Sequence, residues 1–218
     1  MTRPHSRPAI IILSLIVAAA ASGEALALTR FVDDNPFFRR SAISGYAGKG
    51  VPVGEFESSR VGDGNHETGA LDWGVDLEHF FGPRWSLGGF LSNTTYLDKD
   101  DPLLETNLTN VGGFLRYVMV SHGGLHPYLR GGVGGQWVQF QDPEFRYKSN
   151  SSWMVQAGGG LIVMPFDSFS LNLQALYNHG FTSDTRVPDA EIYEDERVIV
   201  GFDTQYWSLQ AGFSLYFQ

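Results

Sequence analysis

The six histidines are the first candidates for a chemical role, because imidazole serves both as a general base and as a metal ligand. His66 lies in a Gly-Asn-His-Glu segment without a second ligand at a useful spacing, and His122 and His126 bracket a short turn. The sequence contains no GxSxG, HExxH, phosphate-loop or dinucleotide motif. It therefore predicts no metal and no cofactor.

A second group of candidate functional residues is charged. If the segments that carry them are β-strands, these residues lie on the face opposite the apolar one. An ionised side chain enclosed by protein needs a partner, because an unpaired charge there costs several kcal/mol. Glu78, Arg116 and Arg130 lie near the ends of their segments that adjoin short turns, so they are expected to share one level of the structure. The sequence predicts ion pairs among the following residues: Asp76, Glu78, Arg116 and Arg130.

The segments that position these residues alternate between apolar and small or polar residues. From Trp207 to Phe217 every second residue is apolar, and Leu71 to Phe80 shows the same period of two. This period is typical of a β-strand with one apolar and one polar face. Strands are predicted at 41–50, 71–80, 85–96, 107–120, 128–139, 153–164, 169–180 and 205–218, and in the first of them the pattern does not separate the two faces.

The connections between these segments alternate in length. Short turns follow strands two, four and six, whereas long polar loops follow strands one, three, five and seven, at 51–68, 97–106, 141–151 and 181–204. An even number of strands in an up-and-down order puts every short turn at one end and every long loop at the other. The sequence predicts an all-β fold, an eight-stranded antiparallel up-and-down β-barrel.

Residue types on the two faces distinguish a transmembrane barrel from a soluble one. A soluble exterior is rich in lysine and glutamate, but the chain has three lysines, and the polar faces are dominated by glycine and serine, which suit a narrow lumen. Aromatic residues with outward parity form two rows at a spacing of roughly 20–25 Å, close to the height of an apolar membrane belt. The upper row, near the long loops, contains Trp73, Trp137, Trp153, Tyr177 and Trp207, and the lower row contains Trp85, Tyr117, Phe169 and Phe217.

The amino terminus indicates export. Arg3 and Arg7 precede an apolar run of about 13 residues, shorter than the roughly 20 that a membrane helix needs, and Ala25-Leu26-Ala27 fits a signal-peptidase site. We therefore expect a signal peptide at 1–27, a lead-in at 28–40 and the barrel at 41–218. The formal net charge of −9 disfavours nucleic acid as a partner.

These features resemble the small eight-stranded outer-membrane β-barrel proteins of Gram-negative bacteria. The resemblance covers nearly all of the mature chain and includes the terminal Phe213-Ser-Leu215-Tyr-Phe217 segment, although Gln218 follows where that family usually ends on the aromatic residue. It implies a monomer in the cell outer membrane, with short periplasmic turns and long external loops. The implied partners are outer-membrane lipids and lipopolysaccharide, together with the barrel assembly machinery, which would read Phe213, Leu215 and Phe217.

Function is expected to be non-enzymatic, with a structural or surface-interaction role through the long loops. The charged residues are expected to plug the lumen rather than to line a narrow small-solute channel, because eight strands leave little open cross-section. The alternative is a lipid A deacylase. Some barrels of the resembled family use a histidine and a nearby serine for that reaction, which makes His179 and Ser183 candidates, although Gly180 and Phe181 interrupt that family's compact motif.

Overall fold

The computed structural model describes residues 37, 40–54, 56, 70–97, 105–120, 123–141, 150–181 and 203–218. Within them the chain forms one closed antiparallel barrel, in which each strand pairs with the next and the last pairs with the first. Its strands are β1 (Ser41–Pro52), β2 (Ala70–Phe80), β3 (Trp85–Leu97), β4 (Glu105–Val118), β5 (Leu125–Gln141), β6 (Asn150–Phe166), β7 (Phe169–Phe181) and β8 (Thr204–Phe217). The predicted up-and-down barrel is confirmed.

Alternating burial shows how the sequence pattern produces this barrel. In β2 every second residue, beginning with Ala70, is buried and each intervening one is exposed. The exposed residues of the barrel are large and apolar, whereas most buried residues of the strand interiors are polar or aromatic. A soluble barrel has the opposite arrangement, so this surface is suited to lipid. Within the described part of the chain, no helix is long and apolar enough to cross a bilayer.

The inside and outside of β1 are set by its two neighbours. Ser44 lies opposite Asp76 of β2 and Ser214 of β8, both of which point inward. Tyr46 is buried in the lumen two residues further along, while Ile43 is exposed. The small residues of β1 fit either face, so only strand pairing decides its orientation.

Strand boundaries differ from the sequence prediction by up to three residues, and the turn between β4 and β5 is one such place. The prediction extended β4 to Val120 and began β5 at Tyr128, whereas β4 ends at Val118 and β5 begins at Leu125. Pro127 therefore lies inside a strand, although it suggested a turn. Its carbonyl accepts a hydrogen bond from the Met119 N–H at 2.9 Å, so the residue takes part in strand pairing as an acceptor although it has no N–H to donate.

Apolar clusters occupy both ends of the lumen. The turn-end cluster lies beside the short connections and contains Phe37, Ala42, Phe80, Val118, Tyr128, Ile162 and Tyr216. The loop-end cluster lies beside the long connections and contains Phe56, Ala70, Tyr96, Leu108, Val138 and Tyr206. These two clusters cap the lumen, and the polar side chains between them surround a third buried cluster of Phe90, Phe114 and Met154.

Candidate functional site

Four charged side chains from three strands meet inside the barrel, and they are named the charged layer here: Asp76, Glu78, Arg116 and Arg130. Asp76 and Glu78 are alternate residues of β2, and Arg116 of β4 lies directly opposite Arg130 of β5. Two like charges at facing positions repel each other. Both arginines are buried, so nearby carboxylates are needed to offset their charge.

The ion pairs divide between the two carboxylates. Arg116 Nη1 donates to Glu78 Oε1 at 2.6 Å, and Arg116 Nη2 lies 3.7 Å from Asp76 Oδ2. Arg130 binds Asp76 with both terminal nitrogens, the Nη2–Oδ1 distance being 3.2 Å. Asp76 therefore contacts both arginines, so that the four groups form one connected network with balanced formal charge.

Aromatic rings and hydroxyls complete the surroundings of the two guanidinium groups. The Arg130 guanidinium carbon lies 3.9 Å from the ring centroid of Phe114, and that of Arg116 lies 4.5 Å from the centroid of Tyr128. Such cation–π contacts partly replace lost hydration. Ser86 donates a hydrogen bond of 2.7 Å to the second oxygen of Glu78. The charged layer is consequently packed and internally satisfied on most sides.

Polar side chains, which include the buried carboxylate of Asp72, fill the lumen between the charged layer and the loop-end cluster. Asn110 donates to the hydroxyl of Tyr206 at 2.7 Å and accepts from Gln136 at 2.9 Å. Gln156 donates to Asn178 at 2.8 Å, and Asn178 donates to Ser208 at 3.0 Å. Asparagine and glutamine at inward positions carry no sequence motif, so these residues were not predicted as a site, although the alternation of the strands shows their inward parity.

The lead-in contributes a ring to the turn end that periodicity did not predict. Phe37 is fully buried and stacks on Phe80, with ring centroids 4.9 Å apart. It also meets the rings of His126 and Tyr216 edge-on. This residue lies in the 28–40 segment, whose sequence has no regular pattern, and only the fold brings it under the barrel.

Of the two catalytic candidates, only His179 lies among the described residues. His179 points outward on β7, and its Nε2 lies 3.2 Å from Oδ2 of Asp203, which precedes β8. Ser183 and His66 lie outside the described residues, as do the signal peptide and most of each long loop. Among the described residues no group of three or more histidine, cysteine, aspartate or glutamate side chains could hold a metal ion.

The residues of the two aromatic rows all have outward parity in the barrel. Trp153 is the most exposed of them, at 76%, and Trp73, Trp85, Trp137 and Phe217 are exposed between 41% and 48%. Several pair within a row: Trp85 packs on Tyr117 at 4.7 Å and Tyr177 on Trp207 at 5.4 Å. Between the rows lie exposed leucines and valines, which form the apolar belt.

The carboxy-terminal residues also face outward. Phe213, Leu215 and Phe217 are about half exposed on the outer surface of β8, which closes the barrel against β1. Ring centroids of Phe213 and Phe169 lie 6.4 Å apart across the β7–β8 pair. Their reading by an assembly machinery stays a prediction, because an outward aromatic row serves the membrane interface equally well.

Comparison with solved structures agrees with the fold. No protein-family model and no curated protein matches the sequence. Neisserial surface protein A superposes with a TM-score of 0.55 at 13% identity over 82% of this chain and 97% of that one. OprG from Pseudomonas aeruginosa gives 0.55 at 15% over 85% and 100%, and the N-terminal barrel domain of OprF from the same species gives 0.50 at 15% over 83% and 98%. The chain has the fold of the small outer-membrane β-barrels, in agreement with the predicted location.

Proposed function

We propose that this protein is a non-enzymatic, closed barrel of the outer membrane that acts through its outer surface and external loops. The observation that carries the proposal is the filled lumen, in which a balanced charged layer lies between two apolar clusters. A solute would have to separate Arg116 from Glu78 and displace the rings at both ends. Each buried ion pair broken without a replacement costs about 3–5 kcal/mol, which opposes conduction.

An interaction role is supported by what the barrel leaves available. The described strands present an apolar belt to lipid and a filled interior, so binding surfaces are confined to the exterior at the loop end and to the long connections. Loops on a rigid scaffold are where such folds vary their partners. Outer-membrane lipids and lipopolysaccharide are the proposed contacts of the exterior, and the assembly machinery is the proposed reader of the terminal strand.

Planar-bilayer recording tests the closed lumen. Purified protein inserted into a bilayer should give no steady unitary current, whereas a known porin inserted in the same way provides the positive control. Reproducible current steps from the wild-type barrel would overturn the proposal in favour of a narrow channel.

A second candidate, lipid A hydrolysis, is favoured by the contact between His179 and Asp203. A carboxylate at 3.2 Å can orient an imidazole as a general base, and this pair lies on the outside of the barrel, where a lipid could approach. The candidate nucleophile is Ser183. Mass spectrometry of lipid A from cells with and without the protein distinguishes the two proposals. Loss of an acyl chain only when the wild-type protein is present, and not its His179→Gln variant, would establish the enzyme.

A further inference from the structure

A hydrogen-bonded polar network lies on the outside of the barrel, on the outward faces of β3 and β4. Asn93 donates to the hydroxyl of Thr109 at 3.0 Å, and the Thr95 hydroxyl contacts Asn107 Oδ1 at 2.6 Å and Asn93 Oδ1 at 3.3 Å. All four side chains are partly exposed. Polar groups on a lipid-facing surface are costly unless they have partners, so this network needs an explanation.

The height of the network follows from the strand register. Trp73 of β2 lies opposite Asn93, which lies opposite Thr109, and Thr109 lies opposite Trp137 of β5. These four residues occupy facing positions and form one row across the outer surface. Strands of such barrels are tilted by about 35–45°, so a row of facing residues is tilted relative to the membrane plane. Asn93 and Thr109 therefore lie at heights intermediate between those of Trp73 and Trp137. Tryptophan marks the membrane interface, so Asn93 and Thr109 lie at the level of lipid headgroups.

The polar residues of β3 and β4 are distinguished from their neighbours by the side-chain hydrogen bonds that join them. On the adjoining strand β2 the outward residues near the loop end are Leu71 and Trp73, whereas β5 and β6 carry the exposed polar residues Gln139 and Ser151 beyond their tryptophans. The amides and hydroxyls of β3 and β4 therefore form a hydrogen-bonded patch that is flanked by tryptophans.

The chemistry of the patch matches a sugar headgroup. Asparagine amides and threonine hydroxyls supply both donors and acceptors, which is what sugar hydroxyls require. The network uses the oxygen of Asn107 as an acceptor, which leaves its NH₂ group for an external oxygen. The flanking indoles offer amphipathic rings on either side. The headgroup of phosphatidylglycerol offers fewer hydroxyls than this set of groups could bind.

A lysine lies on one side of the patch and a carboxylate on the other. Lys49 of β1 faces outward and lies opposite Leu71, which lies opposite Thr95, so about 10 Å separates the Lys49 and Thr95 backbones across two strand spacings. Lysine binds phosphate as a point charge. Glu105 is the outward residue of β4 beyond Asn107, and its charge repels phosphate from that side. An anionic group attached to the sugar would thus be directed towards Lys49.

We propose that this patch binds the phosphorylated sugar headgroup of an outer-leaflet glycolipid, with the sugar over Asn93 and Thr109 and a phosphate at Lys49. The inference deepens the proposed surface-interaction role and rests on it. It assigns that role to the outer wall of two strands rather than to the long loops.

The test measures binding of lipopolysaccharide to the full-length mature barrel in phospholipid vesicles. Bound glycolipid stabilises the folded state according to its concentration and Kd, so urea midpoints at increasing lipopolysaccharide yield an affinity. The double variant Asn93→Leu/Thr109→Val should bind at least about tenfold more weakly, whereas the control Gln205→Leu, a polar-to-apolar change on the outer face of β8, should keep wild-type affinity. Lys49→Gln should bind phosphorylated and dephosphorylated lipopolysaccharide equally, unlike the wild type.

Each outcome bears on the proposal. The double variant adds apolar surface facing lipid and should fold, and the two single variants give a second measurement if it does not. Wild-type affinity in these variants, or equal stabilisation of the wild type by phosphatidylglycerol, overturns the proposed site, as does an equal loss in the Gln205→Leu control. If the wild-type barrel binds no lipopolysaccharide yet conducts no ions and leaves lipid A unmodified, the site is wrong, while the proposal of a closed, non-enzymatic barrel stands.

Discussion

Replacing Arg116 by methionine is the sharpest test of the charged layer. Arg116 is fully buried and donates at 2.6 Å to Glu78, so its removal leaves a buried carboxylate with Ser86 as its remaining hydrogen-bond donor. Breaking a buried ion pair from one side costs about 3–5 kcal/mol. The methionine restores part of the packing against Tyr128, so the lower half of that range is expected.

Two matched variants distinguish the effect of breaking the ion pair from the effect of losing an arginine side chain. Arg84 is exposed in the turn after β2, and its side chain donates a long hydrogen bond of 3.3 Å to the hydroxyl of Tyr117. Arg84→Met should lower the free energy of unfolding by less than about 1 kcal/mol. In the double variant Arg116→Met/Glu78→Gln the charged layer keeps Asp76 and Arg130 as a pair and contains no unpaired charge. This double variant should therefore regain most of the stability lost by Arg116→Met alone.

Equilibrium urea unfolding in vesicles provides the measurement, with the slope compared between variants to verify that the same transition is observed. The double-mutant cycle gives the coupling energy between Arg116 and Glu78, which we expect to be about 2–3 kcal/mol. A cycle with no coupling, or an Arg116→Met loss no greater than that of Arg84→Met, would refute the argument that the layer is held by these pairs.

Three further changes test the belt, the close strand packing and the turn-end cap by the same unfolding measurement. Leu173→Arg, at a 57% exposed site in the middle of the β7 outer face, should lower the free energy of unfolding by about 2–4 kcal/mol. Phe166→Arg, beside a turn, should lower it by at most about 1 kcal/mol. Equal losses in the two variants would contradict a lipid-facing belt. Gly158→Ala should lower the free energy of unfolding by about 1–3 kcal/mol, because a Cβ there would overlap the β7 backbone. Gly131→Ala, with open space around it, should leave the stability unchanged. If Gly158→Ala also had no effect, β6 and β7 would pack less closely than the structure shows. Phe37→Ala should cost about 3–5 kcal/mol as a fully buried ring, and a loss below 1 would mean that the lead-in does not seal the barrel.

Alternation along the chain was sufficient to predict the barrel and the inward parity of its arginines. Each residue of a strand faces opposite to its neighbours, so Trp207 to Phe217 and Leu71 to Phe80 disclose two faces without any tertiary information. The contrast between short turns and long loops then fixed the order of strands and the end at which each connection lies.

Tertiary structure decided everything that depends on stagger between strands. Glu78 and Asp76 have the same parity, and the sequence did not say which of them each arginine would meet. The answer follows from the offsets of β2 to β5, which place Arg116 against Glu78 and leave Asp76 to bridge both arginines. These offsets arise from the closure of the whole barrel, so no single segment encodes them.

The positions of residues without a periodic pattern, and of small residues that fit either face of a strand, could likewise not be predicted from the sequence. Phe37 lies in a segment without a period, and its burial exists only because the turn end of the closed barrel offers an apolar recess. The small residues around Ser44 fit either face and are oriented by their neighbours. Asn93 and Thr109 look like ordinary strand residues, and only the register shows that they share one outward row with Trp73 and Trp137. Local pattern determines which way a side chain points, and long-range pairing determines what it meets.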